Sequence, residues 1–133
     1  MIVSSLVGQT VNIISFDYAV LLTMLDESYV RLEQPFTVEF DNENKKIEIT
    51  PEALGDESSV ALRLLREEII AAHVTTSGAL SISFSNGALL FCAPHPKYEA
   101  WEVHLATGET VLSTPGGETA NWGTSPNEGL GRA

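Results

Sequence analysis

Residues 80–84 read Leu-Ser-Ile-Ser-Phe, and this strict alternation constrains the chain more than any other stretch. A period of two puts Leu80, Ile82 and Phe84 on one face of a strand, with Ser81, Ser83 and Ser85 on the other. Asn86-Gly87 follows, the pair suited to a two-residue type I′ turn in which both central residues need positive φ. The expected register sets Phe84 opposite Leu89, Ile82 opposite Phe91 and Leu80 opposite Ala93, so each inward residue meets an apolar partner. Cys92 then falls on the other face, beside Ser81, as a small half-buried side chain.

The same signal recurs on both sides of this hairpin. Residues 11–16, 19–25 and 29–33 read as strands, separated by Asp17-Tyr18 and Asp26-Glu27-Ser28. The run 19–25 is apolar on both parities, as expected of a central strand covered on both faces. After Pro35, Phe36, Val38 and Phe40 alternate with Thr37 and Glu39; a polar turn over 41–44 leads to Ile47 and Ile49, and Pro51 closes the segment. Helical spacing occurs once: Val60, Ala61, Leu64 and Leu65, with Asp56 or Ser58 as cap, predict a short helix over roughly 57–66. β character returns over 68–76, over 98–105 and at Val111-Leu112, which Pro115-Gly116-Gly117 ends.

These signals predict a mainly β, α+β domain over residues 1–123. Eight to ten short, mainly antiparallel strands would form a bent sheet or partly closed barrel with one short helix, the alternative being a two-sheet sandwich. Gly, Asn, Ser, Pro and Thr dominate residues 124–133, where a flexible tail is expected.

At 133 residues the chain has the length of one domain, able to bury roughly two-thirds of its unfolded surface. Seven Lys and Arg against 18 Asp and Glu leave a formal net charge of −11. That balance repels phosphate backbones and anionic lipid, so no nucleic acid and no membrane is expected, and it attracts a basic protein at long range. Cys92 is the single cysteine, which excludes an intramolecular disulfide and suits a reducing compartment. No Lys or Arg precedes Arg31 to open a secretory signal, and Asn12, Ser15 and Asp17 interrupt the apolar run; the expected location is cytoplasmic.

Three groups of residues carry chemistry worth weighing. Cys92, His95 and Glu99, with His73 and His104 elsewhere, fall short of the four ligands of a structural zinc site. A Cys–His pair also needs a stabilised thiolate and an oriented imidazole, so neither a metal, a cofactor nor a catalytic residue is assigned. Asp17, Tyr18, Glu33, Glu99 and Glu102 would act as acid and base only at a fixed separation. Read structurally, Asp17 makes a turn and the glutamates face outward with Arg31 as ion partner. Tyr18, Tyr98, Trp101 and Trp122, near Pro94, Pro96 and Pro115, are either core fillers or the anchors of a rigid aromatic corner. The candidate binding residues are therefore Tyr18, His95, Tyr98, Glu99, Trp101 and Trp122.

Several longer strings carry a resemblance: Gly8-Gln9-Thr10-Val11, Phe16-Asp17-Tyr18-Ala19-Val20, Val30-Arg31-Leu32-Glu33-Gln34-Pro35-Phe36, and Gly78-Ala79-Leu80 with Phe84-Ser85-Asn86-Gly87. Tyr98-Glu99-Ala100-Trp101-Glu102, the most specific, and Pro115-Gly116-Gly117-Glu118 with Trp122 complete the set. Over most of residues 8–122 the chain resembles a family of small bacterial proteins of unknown function, common in actinobacteria. Where that family usually carries a Pro-Pro-Asp-type stretch, this chain has Cys92-Ala93-Pro94-His95-Pro96, so no acid is carried over there. The resemblance implies no activity; by analogy alone, small acidic proteins of this kind look like immunity proteins of bacterial toxin systems. The functional expectation is a non-catalytic protein-binding module, immunity-like, whose acidic surface masks a basic partner. The alternative is a small enzyme or ligand-binding domain with a pocket near His95, Tyr98 and Trp101. A homodimer formed by strand pairing is the third reading.

Overall fold

The computed structural model describes residues 2–123. Eleven strands form among these residues: β1 (Val11–Phe16), β2 (Val20–Met24), β3 (Tyr29–Leu32), β4 (Phe36–Phe40), β5 (Lys45–Ile49), β6 (Ile69–Val74), β7 (Leu80–Phe84), β8 (Ala88–Cys92), β9 (Trp101–His104), β10 (Thr110–Ser113) and β11 (Thr119–Trp122). They make two sheets, of order β1-β2-β3-β9-β10-β11 and β5-β4-β8-β7-β6. Every pairing is antiparallel.

Alternation decides which faces meet. Val20, Leu22, Val30, Leu32, Trp101 and Val103 point inward from the first sheet. Phe36, Val38, Leu80, Ile82, Leu90 and Cys92 do so from the second, and together they form one buried core. The sheets are also stitched along one edge. Thr10 bridges Glu68, the Val11 N–H donates to the Glu67 carbonyl (3.0 Å), and the Arg66 N–H donates to the Val11 carbonyl (2.8 Å). A 3-10 helix at Ile2–Leu6 packs on β6, with Val3 and Leu6 buried. The result is two antiparallel sheets sharing one core and not a closed barrel, so the mainly β expectation holds.

The expected helix is a 3-10 helix over Asp56–Leu64. Its tight winding is supported by Ser58 and Ser59, whose hydroxyls donate to carbonyls three residues back (2.7 and 2.9 Å). Leu21 and Thr23 of β2 are half-buried, because the outer face of the first sheet is not covered by a further layer. β11 was not expected; its polar residues conceal a strand that pairs with β10. The tail expected over 124–133 lies outside the described residues.

The hairpin register is the main correction. Leu80 faces Cys92, Ile82 faces Leu90 and Ser83 faces Leu89, one residue away from the register of a two-residue turn. The loop has three residues, Ser85, Asn86 and Gly87. Gly87 alone has positive φ (87°), its N–H donates to the Phe84 carbonyl (3.0 Å), and Asn86 Oδ1 accepts the Ala88 N–H (3.1 Å). A one-residue slip exchanges the faces of a strand. Ala88, Leu90 and Cys92 therefore point inward and Phe91 outward, so Cys92 is fully buried and not half-buried.

Between residues 2 and 123 the chain passes from sheet to sheet twice, after Leu32 and after Cys92. The two passages run side by side: the Glu33 N–H donates to the Ala100 carbonyl (2.8 Å), and Cys92 Sγ lies 4.0 Å from the Pro35 carbonyl oxygen. No helix among the described residues is long and apolar enough to cross a membrane.

Candidate functional site

A cleft of about 500 Å³ opens where these two passages meet, lined by Tyr18, Arg31, Glu33, Gln34, Glu52, His95, Tyr98 and Glu99. Each wall follows from local structure. Val30 and Leu32 of β3 point inward, which turns Arg31 and Glu33 outward. Tyr18 sits in the β1–β2 turn, where Asp17 Oδ1 accepts the Ala19 N–H (2.9 Å) and leaves the Tyr18 ring 85% exposed. Glu52 belongs to the short 3-10 turn Pro51–Ala53 after β5.

The second passage supplies the remaining wall and is tied down along its length. His95 Nδ1 accepts the N–H groups of Lys97 (3.0 Å) and Tyr98 (3.2 Å), so the ring proton resides on Nε2. The His95 carbonyl accepts the Gly116 N–H (2.9 Å), and the Tyr98 ring, 61% exposed, lies 5.0 Å from the imidazole. Ser113 Oγ accepts from both the Ala100 and Trp101 N–H groups (2.8 and 3.3 Å). Trp101 is entirely buried, with its indole N–H on the Gly78 carbonyl (3.1 Å).

Four of the six candidates, Tyr18, His95, Tyr98 and Glu99, thus share one cleft. Trp101 does not line it: it is the core anchor from which the corner is built. Trp122 stands on β11, 55% exposed, away from the cleft lining. Arg31 and Glu33 join the cleft as the ion pair expected of them, Nε to Oε2 3.5 Å. Gln34 and Glu52 were missed. No local pattern marks them, because the pairing of β4 with β5 is what carries Glu52 to Gln34.

The lining carries three carboxylates and one guanidinium. Glu33 pairs with Arg31, whereas Glu52 and Glu99 make no hydrogen bond or ion pair among the described residues. The other groups weighed in the sequence lie elsewhere. Burial pushes the Cys92 thiol up to about 12, so it stays protonated at neutral pH, unlike a nucleophilic cysteine. His73 is exposed on β6, and His104 on β9 stacks on Tyr29 (5.0 Å between centroids) with Nδ1 2.8 Å from Thr110 Oγ1. Glu102 accepts the Tyr29 hydroxyl (2.7 Å); burial and then this bond push Tyr29 up to about 12. Among the described residues no group of three or more His, Cys, Asp or Glu is placed to hold a metal ion.

Fold and site together define a class: a two-sheet antiparallel β protein whose sheet-to-sheet passages frame an acidic, tyrosine-edged cleft. Residues 2–123 match the family described as "Family of unknown function (DUF6188)", and the chain belongs to that family. No curated protein and no solved structure matches it.

Proposed function

We propose that this protein is a non-catalytic protein-binding module that engages a basic partner through the cleft. The observation that carries the reading is the pairing of exposed tyrosines with unpartnered carboxylates, Tyr18 and Tyr98 beside Glu52 and Glu99, on a chain of net charge −11. Exposed tyrosines supply large contact area at low entropic cost and are common interface anchors. The acidic field raises the rate of encounter with a basic surface and disfavours acidic competitors. In its specific form this is an immunity-like role, in which the protein masks a basic surface of its partner.

A small-molecule pocket is the competing reading, since the cleft volume of about 500 Å³ falls within the range of ligand sites. Its lining weakens that reading. Most of the wall is charged or amide, and Trp101, near which the pocket was expected, is in the core.

Fluorescence anisotropy with labelled Lys/Arg-rich peptides, against neutral and acidic peptides of equal length, tests the proposal. Only the basic peptides should bind, and more weakly at about 200 mM than at about 50 mM NaCl. Tyr98→Ala should lower affinity by about tenfold, the effect of losing one moderate anchor. Equal binding of basic and neutral peptides would overturn the reading.

A further inference from the structure

We infer that the cleft is a receptor for a single arginine side chain of the partner, in preference to lysine. The inference rests on the basic-partner reading and narrows it to one side-chain chemistry. This chain already holds a guanidinium of its own between an aromatic ring and a carboxylate. Arg63 lies over the Phe40 ring, 3.7 Å from Cζ to centroid, and forks both terminal nitrogens onto the Glu43 carboxylate at 2.6 and 3.2 Å. An aromatic face and a forked carboxylate share one planar cation.

The cleft lining carries the same two kinds of component. His95 and Tyr98 present neighbouring rings 5.0 Å apart, Tyr18 adds a third, and the carboxylates of Glu52 and Glu99 are without partners among the described residues. Arg31 does not fill the role, because it is engaged with Glu33 on the cleft wall. That pair is neutral in sum, so the lining keeps two negative charges for an incoming cation.

Arginine fits better than lysine for a reason of hydration. A guanidinium is planar and weakly hydrated, stacks on rings and forks onto a carboxylate, whereas an ammonium holds its water and acts as a point charge. In an open cleft, where nothing strips that water, the stacking ion has the advantage. The walls are already ordered by the His95, Gly116 and Ser113 hydrogen bonds, so little further ordering opposes binding. His95 Nε2–H remains free of those bonds to donate to the backbone of the segment carrying the arginine.

The test is an NMR titration of the full chain with three short peptides identical except for a central arginine, lysine or citrulline. The arginine peptide should shift the amides of His95, Lys97, Tyr98 and Glu99 saturably, bind about tenfold more tightly than the lysine peptide, and lose this effect when citrulline removes the charge. Tyr98→Ala should weaken it by about tenfold, as it does for the Lys/Arg-rich peptides, and Glu99→Gln by about fivefold, neither moving the unfolding midpoint, since both residues are exposed. Equal affinities for arginine and lysine, or shifts confined to another surface, would overturn the inference. If Lys/Arg-rich peptides still bind in that case, the basic-partner reading stands; if none binds, both fall.

Discussion

Cys92 shows how much can depend on one position of register. Its sulfur is surrounded by the carbonyl oxygens of Pro35, Ala93 and Ala100 at 3.8–4.0 Å, an environment that opposes a thiolate. A thiol reagent at pH 8 should leave the folded protein unlabelled and react fully once urea unfolds it; rapid labelling of the native state would contradict this burial. The unfolded thiol ionises near about 8.5, while the folded one does so at about 12. Between those values the folded state holds a proton that the unfolded state has released. Stability should therefore fall as pH rises from about 9 toward 12, by up to about 1.4 kcal/mol per pH unit from this group. Tyr29 adds to the fall above about 10, where its unfolded phenol begins to ionise. Urea unfolding across this range, repeated with Cys92→Ala, should show a shallower loss in the variant. The sequence could not place Cys92 because Asn86-Gly87 suggested a two-residue turn. What takes Ser85 into the loop is distant: its N–H donates to the Glu68 carbonyl, and its hydroxyl accepts the Glu68 N–H and donates to the Glu67 carboxylate.

At the scale of elements, strand alternation was legible and contacts between turns were not. Leu80, Ile82 and Phe84 are inward as their period requires, and Arg31 and Glu33 are outward for the same reason. β11 leaves no strand signal in the sequence because Thr119, Asn121 and Trp122 face no core and give no apolar alternation. Nor did sequence foretell the meeting of the 75–79 turn with the 114–118 turn, behind the second passage. There Gly78 has φ 91°, and a Cβ on it would stand 2.0 Å from the Gly117 carbonyl oxygen, a backbone atom that cannot swing aside. The same Gly78 carries the carbonyl that receives the Trp101 indole. Gly78→Ala should cost about 2–4 kcal/mol in urea unfolding, combining a strained backbone with a displaced turn. A loss below about 1 kcal/mol would mean that the two turns separate freely.

For the molecule as a whole, the candidate cleft was only half readable. His95, Tyr98 and Glu99 are near neighbours in the chain, and Tyr18 stands out by residue type; Gln34 and Glu52 belong to the site only because β4 and β5 pair. Net charge bears on the sign of the proposed partner's surface and not on where it would dock. The two adjacent passages between sheets have one more implication. Glu33 and Gln34 lie on one of them, and His95, Tyr98 and Glu99 on the other, so an occupant of the cleft buckles both straps that hold the two leaves of the fold together. Such a buckle resists peeling of one leaf from the other. Hydrogen exchange with saturating basic peptide should then slow in β3 and β8 alike, though neither strand lies wholly at the cleft. Protection confined to one sheet would show that the occupant rests on a single strap.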